Sequence, residues 1–363
     1  MRVLHVEAGR HLYGGARQVL YLLEGLAARG LESVLACPEG SDIGREAARL
    51  GVTVREIPMK GDLDFGLIGR IKRLVRQERI DLVHIHSRRG ADVFGGIAAK
   101  MAGVPCVLSR RVDNPEPPWL ARLKYRLFDR VITISEGIRE VLLDEGVPAE
   151  RVTCVRSVVD FERYQQACDR QWFRQTLGLS PEGPVLGVIA QLIPRKGHRY
   201  LLDALPAILD AHPDVQVVFF GRGPLEASLR EGVAHRGLER SVLFAGFRED
   251  LERILPCLDL VVHPAEMEGL GVSLLQAQAA GVPVIGSRAG GIPEAVADER
   301  TGLLLAPGDV AGIAAAARRL LRDPAERERM GNEARRRIRS EFSIDAMVEG
   351  NLQIYRSLTG GSE

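Results

Sequence analysis

The run Pro264-Ala265-Glu266-Met267-Glu268-Gly269-Leu270-Gly271-Val272-Ser273-Leu274-Leu275-Gln276 follows a short apolar strand pattern that ends at His263. Gly269 and Gly271 expose backbone N–H groups where a helix begins, a place that favours negative charge. Glu268 stays in the loop ahead of that helix, and Gln276 lies about one turn inside it, roughly 5 Å of rise further along. One of the two side chains can reach a sugar and the other a ribose on the same ligand. Upstream, Arg195-Lys196-Gly197 sits just past another strand pattern, in the crevice outside the carboxyl end where α/β sheets bind ligands. Two fixed cations there suit a diphosphate. Gly290-Gly291-Ile292-Pro293-Glu294 repeats the glycine-then-helix arrangement after the next strand, with Pro293 in a favourable first-turn position.

Weaker signals lie in the first half. Gly14-Gly15 precedes a helix expected to begin near Gln18, and reads either as an anion-approaching loop or as a tight turn. Neither the G-x-G-x-x-G spacing of a dinucleotide site nor a Walker lysine is present. His86, in Val83-His84-Ile85-His86, ends its strand on the ligand side and is either a hydrogen-bonded structural histidine or a participant in chemistry. Asp62-Leu63-Asp64 has the spacing of a metal-binding Asp-x-Asp, but it lies in a polar turn away from the expected phosphates and reads as caps.

The elements that must carry these residues alternate short β-branched runs with longer helical patterns, the beat of a parallel α/β sheet. Val3 to Val6, Ser33 to Ala36, Val52 to Ile57, Leu82 to Ile85, Pro105 to Leu108 and Arg130 to Ile134 give one series. After the polar stretch Tyr164 to Thr176 a second begins, from Pro184 to Ala190 through Gly302 to Leu305. The amphipathic tail from Ile344 to Leu358 needs a surface to bury against, and packing back on the first domain is one solution. At 363 residues and 45% apolar composition the chain can fill two cores. No apolar run reaches the roughly 20 residues that span a bilayer, and MRVLHVEAG reads as a strand rather than an export signal. The five scattered cysteines, Cys37, Cys106, Cys154, Cys168 and Cys257, show no Cys-x-x-Cys spacing, so a zinc site or disulfide framework is not expected and a reducing cytoplasm is.

Formal charge is +1 overall, yet between Met59 and Arg130 fifteen Lys/Arg face eight Asp/Glu, an excess of seven cations. Arg70, Lys72, Arg73, Arg76 and Arg79 are either a solvated helix face or a surface for an anionic acceptor or membrane. Nothing points to a nucleic-acid partner.

Taken together, the chain resembles the retaining GT-B glycosyltransferases of group 1, also called family four. Besides Arg195-Lys196-Gly197 and the Glu268 helix, the resemblance rests on Gly221-x-Gly223-Pro224, Phe244-x-Gly246-x-Arg248, Gly281-x-Pro283-Val284-Ile285, Gly290-Gly291-Ile292-Pro293-Glu294, Thr301-Gly302-Leu303-Leu304 and Phe342-Ser343, in that order. It implies an α/β fold of GT-B architecture, two Rossmann-like doubly wound domains facing across a cleft. Residues 1–165 would bind the acceptor, residues 166–342 the nucleotide-sugar donor, and the helix 343–363 would return to the first domain. The resemblance gives Arg195 and Lys196 the donor diphosphate, Glu268 the sugar hydroxyls, and residues Gly246, Phe247 and Arg248 the base. Gly14, Gly15, Gly221, Gly269, Leu270, Gly271 and Gln276 complete the expected donor contacts, with Glu268, Arg195, Lys196 and His86 as the catalytic set. No cofactor and no metal are expected. Gln276 departs from the family, which carries a second Glu there, and Arg111 stands where a histidine is frequent. The implied activity is retaining hexosyl transfer to a glycolipid, lipopolysaccharide-core or other envelope acceptor, in the cytoplasm or at the inner face of the membrane. A non-catalytic sugar-nucleotide-binding protein, or another GT-B enzyme such as an epimerase, is the alternative.

Overall fold

A computed structural model describes residues 1–88 and 90–360. The chain divides into two compact units, residues 1–158 with 344–363, and residues 159–343. The division comes seven residues before the expected boundary, so 159–165 belong with the second unit. Residues 361–363 of the expected C-terminal helix lie outside the described residues.

The first unit is built on a seven-stranded parallel sheet. Its strands are β1 (Arg2–Val6), β2 (Glu32–Cys37), β3 (Thr53–Glu56), β4 (Leu82–Ile85), β5 (Cys106–Arg110), β6 (Arg130–Thr133) and β7 (Val152–Cys154), in the order β3-β2-β1-β4-β5-β6-β7. β4 is buried throughout and β1 almost so, as expected of parallel strands covered by helices on both faces. The helix Ile344–Thr359 packs on the helix Gly14–Ala28, and Met347, Val348, Leu352 and Tyr355 join Leu22, Leu26 and Val3 in one apolar cluster. β7 was not read from the sequence, because three residues with one buried side chain carry no periodicity.

The second unit carries β8 (Val185–Ile189), β9 (Gln216–Phe220), β10 (Val242–Gly246), β11 (Leu260–His263), β12 (Val284–Ser287) and β13 (Gly302–Leu305), in the order β10-β9-β8-β11-β12-β13. Both sheets are therefore doubly wound, and each reverses its strand order once, at β1/β4 and at β8/β11.

Two expectations need correction. The polar stretch 164–176 is not a plain linker, since it contains most of the helix Arg170–Leu177, capped by the Asp169 side chain and held by Phe173 and Leu177 one turn apart on its buried face. Two buried apolar residues in eight were too few to stand out from the polar composition. Cys168 and Cys257 are not plain thiols; they form a disulfide, Cα atoms 4.9 Å apart, across 89 residues of sequence. Only folding brings the start of that helix to the turn before β11, so spacing gave no sign of the pair. Cys37 and Cys106 are free and buried, and Cys154 is half-buried.

Candidate active site

The crevice of the second unit opens where β8 and β11 part. Beyond β8 the chain makes a tight turn, Pro194–Lys196, and then passes through Gly197 at φ +68°. A Cβ on Gly197 would stand 1.9 Å from the Pro264 carbonyl oxygen, so only glycine lets this turn lie against the loop that follows β11. The Glu266 N–H donates to the Arg195 carbonyl at 2.8 Å and fastens the two loops together. This close approach sets Lys196 Nζ 2.6 Å from Glu268 Oε2. His263, the last residue of β11, places Nε2 2.8 Å from the same oxygen. Glu268 Oε1 accepts from the Gly269 N–H at 3.1 Å.

The Gly290-Gly291 turn supports this loop from behind. The Gly291 N–H donates to the Glu268 carbonyl at 3.0 Å, and a Cβ there would meet the Gly269 oxygen at 2.2 Å. Gly291 serves close packing against the Glu268 loop. Burial alone would push the Glu268 carboxyl up, but the hydrogen bond and attraction of His263, with those of Lys196, outweigh it and hold the group well below the usual carboxylate range. The result is an ionised, acceptor-only side chain held by three donors, 16% exposed.

The remaining expected donor contacts spread along the sheet edge. Arg195 is half-buried, Leu270 is buried, and Gly271 in a left-handed conformation caps the helix Val272–Ala279. Gln276 is half-buried on that helix; its carbonyl accepts from the Ala280 N–H at 3.0 Å, and its side chain makes no hydrogen bond among the described residues. The Gly221 N–H donates to the Gly246 carbonyl at 2.8 Å, tying the ends of β9 and β10. There Phe247 is 44% exposed, and Arg248 forks onto Asp250 at 2.8 and 2.6 Å, a bond that lowers the Asp250 carboxyl.

In the first unit the corresponding crevice lies between β1 and β4. Helix Gly14–Ala28 starts at Gly14, four residues earlier than expected, so Gly14 and Gly15 form its first turn; a Cβ on Gly15 would lie 3.7 Å from Arg111 Cδ. His86 is 3% exposed, with Nε2 2.9 Å from His5 Nδ1 and Nδ1 3.4 Å from Arg111 Nη2. A guanidinium only donates, so Nδ1 of His86 accepts, its Nε2 carries the hydrogen, and His5 Nδ1 receives it. His84 bonds Ser109 Oγ at 2.8 Å and the Tyr355 hydroxyl. Burial above all, then neighbouring histidines and Arg111, holds His84 and His86 neutral, and burial lowers His5 to about 3.

Among the described residues His5, His84 and His86 are the group whose ligand atoms, all within 4.8 Å of one another, approach a metal-binding arrangement. The fit is poor. The two nearest nitrogens already share a hydrogen, and the half-buried Arg111 guanidinium beside them opposes a divalent ion. Asp64 of the Asp62-Leu63-Asp64 run accepts from the Lys60 N–H at 2.8 Å and from Arg70, bracing its own loop.

Residues 169–337 match the family described as Glycosyl transferases group 1, and residues 13–163 the one described as Glycosyltransferase Family 4. A 2-deoxystreptamine glucosyltransferase of Streptomyces kanamyceticus is 30% identical over 275 residues, covering 70% of this chain and 71% of that one. The chain belongs to the group 1, family four glycosyltransferases. An Escherichia coli galactosyltransferase, UDP-Gal:alpha-D-GlcNAc-diphosphoundecaprenol alpha-1,3-galactosyltransferase, is 26% identical over 98% of this chain and 96% of its own. Anabaena HepE, solved in complex with UDP, superposes with a TM-score of 0.86 at 21% identity, covering 99% of this chain and all of that one.

This glycosyltransferase is thus of GT-B type, and its two sheets are the two Rossmann-like domains of that architecture. Sequence reading missed His263, His5 and Arg111's contact with His86. For His263 a signal existed: an ionisable residue closing an apolar strand, five positions before the glutamate of a glycine-rich helix start. His5 and the Arg111 contact depend on β1, β4 and β5 lying side by side, which no local pattern announces.

Proposed function

We propose that this glycosyltransferase is a retaining hexosyltransferase that draws its sugar from a nucleoside-diphosphate donor bound by the second unit, without a metal. The observation that carries the reading is the Lys196–Glu268 pair, 2.6 Å apart where the sheet order reverses. A leaving diphosphate develops negative charge, and Lys196 and Arg195 supply fixed cations for it in place of a divalent ion. Glu268 accepts sugar hydroxyls beside them. Its lone pairs are engaged by three donors, which makes it a poor covalent nucleophile and favours attack by the acceptor on the face the diphosphate leaves. Gly246, Phe247 and Arg248 take the base, and Gln276 the ribose. HepE's complex with UDP supports this class of donor.

The first unit takes the acceptor, an envelope glycolipid such as a lipopolysaccharide core. Its excess of cations supports an anionic acceptor, as do exposed Trp119 and Leu123 beside exposed Arg122 and Arg126, an arrangement suited to peripheral contact with an anionic inner leaflet. The E. coli relative, named for a diphosphoundecaprenol-linked acceptor, points the same way. No helix among the described residues is long and apolar enough to cross a membrane.

A thermal-shift screen of UDP-, GDP- and ADP-sugars tests the donor, with CMP-sugars as controls lacking the diphosphate. One diphosphate class should raise the unfolding temperature in EDTA and support transfer with retained anomeric configuration. Trapping a covalent glycosyl-enzyme, or activity that requires manganese, would refute the mechanism.

A further inference from the structure

We propose that His263 is a positioning residue for sugar transfer, its Nε2–H keeping the Glu268 carboxylate aimed while Lys196 is drawn onto the donor diphosphate. The inference rests on the reading of the site given above. Glu268 Oε2 has two side-chain donors, Lys196 Nζ at 2.6 Å and His263 Nε2 at 2.8 Å. They differ in what holds them. Lys196 ends a flexible four-carbon stem on a short turn, so a diphosphate competes directly for its ammonium. His263 is 1% exposed and belongs to β11, whose backbone pairs with Gly286 of β12 at this very residue. Its backbone is fixed by the sheet and its Nδ1 has no hydrogen-bond partner among the described residues, so its contact with Glu268 is the one that persists when donor arrives.

The chemistry requires such a donor. A carboxylate only accepts, so Nε2 of His263 must carry the hydrogen. Without it, burial pushes the Glu268 carboxyl towards its protonated form, and an oxygen that should accept from a sugar hydroxyl would donate instead. The carboxylate would also lose the strand-fixed anchor that sets its direction.

Two substitutions separate positioning from packing. The side-chain amide of Gln reaches the place of Nε2, whereas that of Asn reaches only the place of Nδ1. Initial rates are measured as nucleoside diphosphate release from UDP-glucose, GDP-mannose and ADP-glucose, water taking the sugar in place of the acceptor, with unfolding temperatures alongside. H263N should lower kcat about 10- to 100-fold, the scale of a small misplacement at a reacting centre, with donor KM within about threefold. Its acid limb should move to higher pH, and H263Q should recover most of the rate at an unchanged unfolding temperature. Wild-type kcat in H263N, or equal impairment in H263Q, would overturn the proposal. If the wild type turns over none of these donors, the transfer reading is what fails. The positioning claim is then decided by 13C NMR titration of Glu268, whose carboxyl pKa should rise in H263N and stay low in H263Q; an unchanged titration in H263N overturns it.

Discussion

Each sheet of this glycosyltransferase places a histidine at the end of the strand just beyond its reversal point, His86 after β4 and His263 closing β11, and the two do opposite work. His86 meets a cation. Arg111 and His5 take up both of its ring nitrogens, and the ring stays neutral in a buried network. His263 meets an anion, and with Lys196 it keeps Glu268 charged in a partly open crevice. The same side chain at the same topological place is therefore a wall in one unit and part of the polar machinery in the other. What decides between them is the residue opposite, a guanidinium or a carboxylate. A candidate histidine can be assigned only together with its partner.

The largest effect that could break this comparison is on turnover. Glu268→Ala should lower kcat by about three orders of magnitude, because it removes the contacts nearest the reacting carbon. His86→Ala should cost less than about tenfold. Steady-state kinetics of the two variants in parallel decides it, and comparable losses would return His86 to the catalytic set.

A smaller effect concerns acid stability, and the two units should respond to different extents. His5, His84 and His86 have folded pKa values depressed below the ordinary 6.5, so from that pH downward the unfolded chain binds more protons than the folded one. The stability they provide is complete above about pH 6.5 and is lost on acidification, at up to about 1.4 kcal/mol per pH unit for each histidine. Glu268, also depressed, contributes stability that is present above its ordinary 4.5 and lost only below it. The second unit has one such histidine, His198, lowered by burial to about 4, against three in the first, so hydrogen exchange, corrected for intrinsic rates, should show β1 and β4 losing more protection between pH 6.5 and 4.5 than β8 and β11. Loss in the reverse order would contradict the assignment.

The smallest predicted effect sharpens the view of the second unit. Gln276 lies half-buried on the helix that follows Glu268, and its amide oxygen can accept from a ribose hydroxyl as a carboxylate would. Gln276→Glu should therefore keep activity and change donor KM by less than about tenfold, since charged and neutral hydrogen bonds differ by about 1 kcal/mol. Transfer that appears only in the Glu variant would favour a non-catalytic sugar-nucleotide-binding protein.

How much of this was legible depended on whether the signal was local. Glu268, Gly269 and Gly271 announce themselves because a strand, two glycines and a helix follow one another within a few residues. Lys196 was legible for the same reason, although its contact with Glu268 was not, since that bond spans 72 positions and depends on Gly197 lying against Pro264. The Cys168–Cys257 bridge, the His5–His86 bond and the Arg111 contact join separate strands and loops. Each is fixed by sheet order, which hydrophobic periodicity does not encode. The helix Arg170–Leu177 escaped for a different reason: Phe173, Arg174 and Leu177 are its buried residues, and a polar composition hid so short a face.

The central claim is that donor binding belongs to the Lys196–Glu268 crevice and needs no metal. Isothermal titration with UDP, and with GDP in parallel, on wild type, Lys196→Ala and His86→Ala in EDTA tests it most directly. The account predicts binding to the wild type, at least about 30-fold weaker binding to Lys196→Ala through loss of a charge-assisted contact, and no more than about twofold change in His86→Ala. Equal weakening in both variants, or binding that appears only when manganese is added, would contradict it.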